Sequence, residues 1–334
     1  MKQDYPHLSW EVLCRLFGKT RHAHYDHLWR SQGKSLKDDI ILQEVQAIRK
    51  QLPRLGTRKL LELLGPHLVS HDIKVGRDYL FDLLEAYKLL IRRRKRKVFT
   101  TDSRHWMRKY SNLIRELQIT RAEQLWVSDI NYIRAQNQWG CLSLITDAYS
   151  RKTMGFCFRI DMSTQGCLIA LQMALANRVY PLWVLIHHSD RGSQYCSKEY
   201  VELLASAGIA ISMTESGDPY ENALAERMNG IIKGEFNLYE SQTSFGQTHQ
   251  RVADSIAAYN GLRPHSSCDY LTPNLAHLQN GELKKRWKNY PKKMPKKQLK
   301  DSIEEAGRLP PESKHPPLLC GEQNKEVPLN NPYV

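Results

Sequence analysis

The sequence predicts an α/β protein in which a mixed five-stranded sheet with helices is preceded by small all-α units. Two observations predict this fold class. Apolar residues recur at helical spacing from Ser9 to Leu90, whereas from Leu125 onward they form short runs typical of strands. Helical and strand patterns then alternate as far as Tyr239, as expected for an α/β sheet. The 334 residues exceed the usual size of one domain, so we expect two or three structural units.

The N-terminal segment, residues 1–35, is predicted to be helical. Ser9 is a suitable N-cap for a first short helix, and Gly18 supplies a turn before a second helix that ends near Trp29. This pattern resembles half of a helix-turn-helix, a motif that reads DNA through the major groove.

Residues 36–91 are predicted to form a trihelical DNA-binding domain. Its three short helices are separated by Pro53 to Gly56 and by Gly65-Pro66, because glycine and proline interrupt helical patterns. The domain carries the adjacent cations Arg58 and Lys59, for which we predict contact with DNA.

A basic linker, residues 92–123, follows the trihelical domain. Its first six residues are cations that repel one another, so they need solvent or a phosphate backbone around them. We predict that this run contacts DNA, and its members are Arg92, Arg93, Arg94, Lys95, Arg96 and Lys97. The whole chain has 49 Lys and Arg against 35 Asp and Glu, and this net charge of +14 also favours a polyanionic partner.

Residues 124–240 are predicted to form the α/β core. Three strands joined by short turns predict an antiparallel meander, and their ranges are Leu125–Ile133, Cys141–Asp147 and Lys152–Ile160. A helix, a strand, a helix, a strand and a long helix follow. The order βββαβαβα is that of the ribonuclease H-like fold, in which the fourth strand, Leu182–His187, lies parallel beside the first.

The flanks of the core complete the predicted organisation. Residues 241–280 are predicted to form a C-terminal helical extension, and residues 281–334, rich in Lys and Pro, a basic and disordered tail. No segment resembles a signal peptide or a membrane-spanning run, so the expected location is the cytoplasm, with no membrane contact.

Three carboxylates are predicted to converge in this core. Asp129 interrupts the apolar first strand, where an unpaired charge would be costly without a cation or a partner. Asp190 follows the fourth strand, at the end of the sheet where ligands gather, and Glu226 lies on the polar face of the long helix. Oxygen ligands of this kind can hold two divalent ions, one activating the attacking oxygen and one stabilising the leaving oxygen of a phosphodiester.

Further polar residues lie near these carboxylates. Lys233 shares the helix face of Glu226 and is predicted to hold a DNA phosphate beside the metals. Asn222, on the same face, and His188, just before Asp190, are predicted supporting residues, although His188 could instead cap the end of the strand. Asp147 is a rival ligand, but an aspartate at a strand end beside Ser150-Arg151 is more often a turn cap or a salt-bridge partner.

Four motifs surround the predicted site: Trp126–Ile133 (WVSDINYI), Thr146–Arg151 (TDAYSR), His187–Tyr195 (HHSDRGSQY) and Tyr220–Glu226 (YENALAE). In these motifs the chain from Trp126 to Lys233 resembles the integrase-type catalytic core of insertion-sequence transposases related to retroviral integrases. The signature of that family is two aspartates and a glutamate, with 35 residues between the last two. Asp129, Asp190 and Glu226 have this pattern, and the resemblance extends over most of residues 8–278.

The resemblance implies a DNA transposase, a polynucleotidyl transferase that cuts the 3′ end of an insertion element and joins the exposed hydroxyl to target DNA. It implies that the three carboxylates hold two Mg²⁺ ions, which Mn²⁺ could replace. The implied partners are double-stranded DNA, namely terminal inverted repeats and target, further copies of the chain, and a protein from an upstream reading frame. Two alternatives stay open: a ribonuclease H-like nuclease that does not join strands, and a sequence-specific DNA-binding protein with an inactive core.

Overall fold

The sheet is built from six strands: β1 (Leu125–Ala135), β2 (Gln138–Asp147), β3 (Thr153–Arg159), β4 (Ile186–Ser189), β5 (Ala210–Met213) and β6 (Glu240–Ser241). Five of them have the order β3-β2-β1-β4-β5, and the two-residue β6 pairs with the far end of β1. The first three strands form an antiparallel meander, and β4 lies parallel beside β1. This topology confirms the predicted ribonuclease H-like core. The strand β6 was not predicted, since two residues give no pattern.

A computed structural model describes residues 6–92, 106–136, 138–215, 221–241 and 243–287. The predicted basic run from Arg93 to Lys97 and most of the predicted tail therefore lie outside the described residues. The helices are α1 (Trp10–Leu16), α2 (Arg21–Gln51), α3 (Thr57–Ser70), α4 (Arg77–Ala86), α5 (Thr164–Ala176), α6 (Ser193–Cys196), α7 (Lys198–Ser206), α8 (Ala223–Glu235), α9 (Phe245–Leu262) and α10 (Pro273–His277).

The two faces of the sheet are covered by different helices. On one face, α5 packs over β2 and β3, and α7 packs against α5 and β5. Trp126, Ile145 and Tyr200 belong to the apolar cluster on this face. On the other face, α8 and α9 form one apolar cluster with the sheet residues Ile133 and Leu142. The helices α2, α3 and α4 belong to that second cluster, so the predicted DNA-binding helices pack with the helix that carries Glu226.

The helix α2 corrects the prediction for the N-terminal third. Residues 21–51 form one continuous helix, where a helix ending near Trp29 and a separate later helix were predicted. The prediction was wrong because apolar periodicity fades in the middle of α2, although no proline interrupts it. Its one glycine, Gly33, costs only about 1 kcal/mol relative to alanine. The predicted boundary between residues 35 and 36 therefore falls inside α2.

The helix α3 corrects a second predicted break. Pro66 lies inside α3, which continues to Ser70 instead of ending at Gly65-Pro66. Proline removes one helical hydrogen bond, but Leu60, Leu64 and Leu68 lie on one buried face on both sides of it. Burial of this apolar face stabilises the helix across the proline.

The strand β4 begins four residues later than predicted. The prediction of Leu182–His187 followed the apolar run, but Leu182 is 96% and Val184 73% exposed, and the strand is Ile186–Ser189. The side chains that β4 buries are two histidines and Ser189, all polar, and the histidines have hydrogen-bond partners. Apolar character alone therefore misplaced the strand. Among the described residues, no helix has both the length and the apolar character needed to cross a membrane.

Gly155 in β3 lies directly beneath α5 and supports a stability prediction. A Cβ atom there would lie 2.0 Å from the backbone oxygen of Ala170 and 2.7 Å from the nitrogen of Ala174. Because helix backbone cannot yield locally, we expect Gly155→Ala to lower the free energy of unfolding by about 1–3 kcal/mol in urea denaturation. The control is Gly65→Ala in α3, where a Cβ meets no atom within 4 Å. Equal stability of Gly155→Ala and wild type would contradict this packing.

Candidate active site

Asp129 lies in the middle of β1 and faces α8. Its Oδ2 accepts a hydrogen bond from Nδ2 of Asn229, at 2.8 Å. Burial raises the pKa of Asp129 to about 7; the Asn229 hydrogen bond opposes the rise, and the charges of Asp190 and Glu226 add to it. A carboxylate that is costly to ionise at neutral pH is one that a bound cation would stabilise strongly.

Asp190 and Glu226 approach Asp129 from two other elements. Asp190 directly follows β4, and its Oδ1 accepts a hydrogen bond from the amide of Gly192 at 3.1 Å. Glu226 lies exposed in the first turn of α8. Because both charges raise the pKa of Asp129, the three predicted carboxylates lie within electrostatic range of one another. In the described part of the chain, no three His, Cys, Asp or Glu side chains form a ready-made metal site, and three like charges repel without a cation among them.

The chemistry of these donors fits a hard divalent ion such as Mg²⁺. The carboxylates offer the oxygen ligands that Mg²⁺ prefers. In addition, Oδ1 of Asn229 and Oδ1 of Asn222 are buried and accept no hydrogen bond within the described structure. A buried polar atom of this kind is usually satisfied by water or an ion, so the surroundings of Asp129 are suited to a hydrated cation.

The predicted supporting residue Asn222 connects α8 to β1. Its buried Nδ2 donates a hydrogen bond to the backbone oxygen of Ser128 at 3.1 Å, beside Asp129. Asn222 is the N-cap residue of α8, and Glu226 follows one turn later. Asn222 therefore fixes the distance between the strand that carries Asp129 and the helix turn that carries Glu226.

His188 performs a similar role from inside β4, rather than as a cap at its end. Its Nε2 lies 3.1 Å from the backbone oxygen of Glu221, and its Nδ1 lies 2.8 Å from Oγ of Ser212. Because a carbonyl oxygen can only accept, Nε2 carries the proton and Nδ1 accepts from the hydroxyl. Burial lowers the pKa of His188, which favours this neutral form. His188 thus positions the residues that lead into α8.

Lys233 lies two turns beyond Glu226, where the polar face of α8 meets β1. Its Nζ donates to Oδ1 of Asn131 at 2.9 Å and lies 5.2 Å from the centre of the Tyr239 ring. Burial lowers the pKa of Lys233. Asn131 was missed by the sequence analysis, although its place two residues after Asp129 puts both on one face of the strand. The contact of Lys233 with DNA stays a prediction.

Comparisons with known proteins show the family of this chain. Two models of the integrase core domain match residues 119–219 and 207–273. The insertion element IS600 uncharacterized 31 kDa protein of Shigella sonnei is 30% identical, over 78% of this chain and 96% of its own length. The chain belongs to the insertion-sequence transposases with an integrase core domain. The predicted family is thereby confirmed, and with it the enzyme class, a polynucleotidyl transferase.

Two further similarities accompany this assignment. The transposase for insertion sequence element IS629 of Shigella sonnei is 28% identical, over 78% of the present transposase and 84% of its own length. Among solved structures, the HTLV-2 integrase catalytic core domain in complex with magnesium, in its trimeric form, is 19% identical. That similarity covers 47% of this transposase and 97% of the other chain, with a TM-score of 0.38.

The rival ligand Asp147 has a structural role in the transposase. Its Oδ1 accepts hydrogen bonds from the amide and the hydroxyl of Ser150, and its Oδ2 accepts one from the amide of Glu123 at 2.7 Å. Asp147 is fully buried, at the end of β2. The turn-cap interpretation is therefore confirmed.

The predicted DNA-contact residues of the transposase have different surroundings. Arg58 is exposed on α3, and Arg92 is exposed where the described segment ends. Lys59 instead pairs with Glu235, the last residue of α8, at 3.2 Å, and its side chain is only 20% exposed. The cations from Arg93 to Lys97 lie outside the described residues. Contact of all these side chains with DNA stays a prediction.

Glu235 is a residue that the sequence analysis missed. Besides Lys59, it binds Arg263 through two hydrogen bonds, of 2.6 Å from Nε and 2.7 Å from Nη2. Arg263 is buried, at the end of α9. Glu235 thus joins α3, α8 and the segment after α9. No sequence signal could have found it, because Lys59 and Glu235 are 176 residues apart.

The Asn229 contact leads to a prediction for metal affinity. Asn229→Ala removes the donor that holds Asp129, so the pKa of Asp129 should rise further above its ordinary value. We expect the Mg²⁺ concentration for half-maximal strand joining to rise about 10- to 100-fold, and the acidic limb of the pH–rate profile to move to higher pH. Gln250→Ala, at an exposed position on α9, is the control. An unchanged Mg²⁺ requirement in Asn229→Ala would contradict this role.

Proposed function

We propose that the transposase cuts the 3′ end of its insertion element and joins the exposed hydroxyl to target DNA at a single site formed by Asp129, Asp190 and Glu226. These residues would hold two Mg²⁺ ions, with Mn²⁺ able to replace them. One observation supports the proposal most directly. The charges of Asp190, which follows β4, and of Glu226, on α8, both raise the pKa of Asp129 in β1. Such a cluster of carboxylates is costly without cations.

The residues around the triad would prepare it for chemistry. Asn229 donates a hydrogen bond to Asp129, whereas Asn222 and His188 hold the start of α8, the helix that carries Glu226 in its first turn. The bound ions would activate the attacking oxygen and stabilise the leaving one. Lys233 lies two turns from Glu226, where its ammonium would contact a phosphate next to the reacting one.

The proposed partners follow from the reaction. The substrate would be double-stranded DNA, namely the terminal inverted repeats of the element and a target. Because two element ends must be joined together, the working form would be a homo-oligomer on DNA. A protein from an upstream reading frame would be a further partner. The helices α1 to α4 would read the repeats, and the exposed Arg58 would neutralise phosphates.

A strand-transfer assay tests this proposal. Purified protein is mixed with Mg²⁺, a supercoiled target and a labelled duplex that carries the flanking ends of its own genomic locus. We expect joined products from the wild type, none from Glu226→Gln, and unchanged DNA binding in that variant. The matched control is Glu202→Gln, an exposed glutamate on α7 that pairs with Lys198. It should join DNA at the wild-type rate.

The alternatives predict different products in the same assay. Nicks without joining, lost in Glu226→Gln, would support a nuclease that does not transfer strands. Binding without cleavage in either Mg²⁺ or Mn²⁺ would support a DNA-binding protein with an inactive core. Equal joining by wild type and Glu226→Gln would exclude Glu226 from the chemistry.

A further inference from the structure

We infer that a cluster of cations between α3, α8 and the end of α9 binds the phosphate backbone of duplex DNA beside the candidate active site. The exposed Arg227 and the partly exposed Lys59 and Arg151 would make the contacts, whereas the buried Arg263 adds its charge from behind them. This inference rests on the proposed function and adds a DNA-binding surface to it. We call the cluster the cationic seam, and its members are Lys59, Arg151, Arg227 and Arg263, with the carboxylate of Glu235.

The ion pairs of the seam leave positive charge in excess. Glu235 accepts hydrogen bonds from both Arg263, at 2.6 and 2.7 Å, and Lys59, at 3.2 Å. One carboxylate therefore faces two cations. Neither Arg151 nor Arg227 forms an ion pair with a carboxylate among the described residues, so the seam holds four cations against one anion.

The four cations all act on the pKa of one buried side chain, that of His265. Burial lowers the pKa of His265 well below its ordinary value, and Arg263, Lys59, Arg151 and Arg227 all lower it further. A hydrogen bond places the backbone of Arg151 near His265. The hydroxyl of Tyr259 donates to the backbone oxygen of Arg151 and lies 2.8 Å from Nε2 of His265. The positive charges thus act at one place, where His265 itself stays neutral.

The excess charge disfavours the charged form of Lys59. Burial lowers the pKa of Lys59 to about 8, and Arg263 and Arg227 contribute to this, whereas Glu235 only partly offsets it. At neutral pH the Lys59 ammonium is therefore charged, although burial and the neighbouring arginines disfavour its charge. A DNA phosphate would supply the missing negative charge and raise the pKa of Lys59 again.

The position of the seam fits a duplex on its way to the active site. Arg227 directly follows Glu226 on α8, and Arg58, exposed on α3, directly precedes Lys59. The backbone amide of Arg54 donates to the oxygen of Glu235 at 3.0 Å, which ties the loop before α3 to the end of α8. The seam therefore connects the helices predicted to read DNA with the glutamate predicted to act on it. Such contacts would position the duplex regardless of its sequence.

The salt dependence of DNA binding tests the seam. Affinities for an element-end duplex and for a scrambled duplex are measured by fluorescence anisotropy from about 50 to about 200 mM salt. We expect Arg227→Gln to make the slope of log K against log salt shallower by about 0.9 for both duplexes. The control is Lys198→Gln, which removes an exposed cation from α7, on the opposite face of the sheet. It should keep the wild-type slope.

The pH dependence of binding gives a second readout that does not depend on Arg227. Wild-type affinity should fall from about pH 7 to about pH 9 as the Lys59 ammonium, with its pKa near 8, loses its proton. Lys59→Arg keeps the charge opposite Glu235 over this range, so its affinity should change less with pH. A wild-type salt slope in Arg227→Gln, or an identical pH dependence in Lys59→Arg and wild type, would overturn the inference.

The experiments distinguish a failure of the cationic seam from a failure of the proposed function. If the wild type joins ends, Glu226→Gln does not, and Arg227→Gln keeps the wild-type salt slope, the seam is not a phosphate site and the proposed function stands. If the salt slope changes as expected but no joining occurs with Mg²⁺ or Mn²⁺, the seam binds DNA and the proposed function is wrong.

Discussion

Asp129→Asn is expected to lower the rate of strand joining about a thousandfold, equivalent to about 4 kcal/mol of lost transition-state stabilisation. The variant should also be more stable than wild type in metal-free buffer at pH 8. In the wild type, the pKa of Asp129 is about 7 in the folded protein, above the ordinary value of 3.8. Stability is therefore lost as pH rises from about 4 to about 7, because ionisation is more costly in the folded state than in the unfolded one.

Thermal unfolding with and without Mg²⁺ checks the predicted stability of Asp129→Asn. The side-chain amide introduced by Asp129→Asn can still accept the hydrogen bond from Asn229 but has no charge, so the Tm of the variant at pH 8 should exceed that of wild type by a few degrees. Mg²⁺ should raise the Tm of wild type more than that of the variant. A less stable variant, or one that retains wild-type joining, would contradict the role given to Asp129.

Arg263→Met is expected to cause the largest loss of stability, about 3–5 kcal/mol. Arg263 is 1% exposed and makes two of the hydrogen bonds to Glu235. Its removal leaves a half-buried carboxylate with Lys59 alone. The pKa of Lys59 should then rise, because the repulsion from Arg263 is lost. Urea denaturation at pH 7 measures the loss.

Two controls separate the ion pair from lost packing. The double variant Arg263→Met, Glu235→Gln removes both charges and should recover part of the lost stability, since no unpaired charge then remains. Lys198→Met, which breaks an exposed pair with Glu202, should cost less than about 1 kcal/mol. If the double variant is as unstable as the sum of the two single variants, the pair is not coupled.

The strand order, and the position of Asp190 at the end of the strand beside that of Asp129, could be predicted because their signals are local. The meander of β1 to β3 is joined by short turns, and the parallel return of β4 places Asp190 beside the strand of Asp129. The interval of 35 residues before Glu226 added a family pattern to this geometry. The periodicity of the strands and the apolar faces of the helices were therefore enough to predict most of the core.

Other features depend on contacts that a local pattern does not contain. The start of β4 was misplaced because Leu182 and Val184 are apolar yet exposed, whereas the buried residues of the strand are polar and include two histidines with hydrogen-bond partners. Lys59 was predicted to contact DNA from its basic neighbourhood alone. Its pairing with Glu235 depends on how α3 packs against α8, which no short stretch of sequence reveals.

The most direct test of the proposed metal-binding triad is a change of metal preference at Asp190. A thiolate prefers softer ions to Mg²⁺, so Asp190→Cys should lose strand joining in Mg²⁺ and regain part of it in Mn²⁺ or Cd²⁺. Asp190→Ala, which offers no ligand, should regain it in none of them. Identical behaviour of the cysteine and alanine variants in every ion, or full activity of Asp190→Cys in Mg²⁺, would contradict the account of Asp190 as a metal ligand.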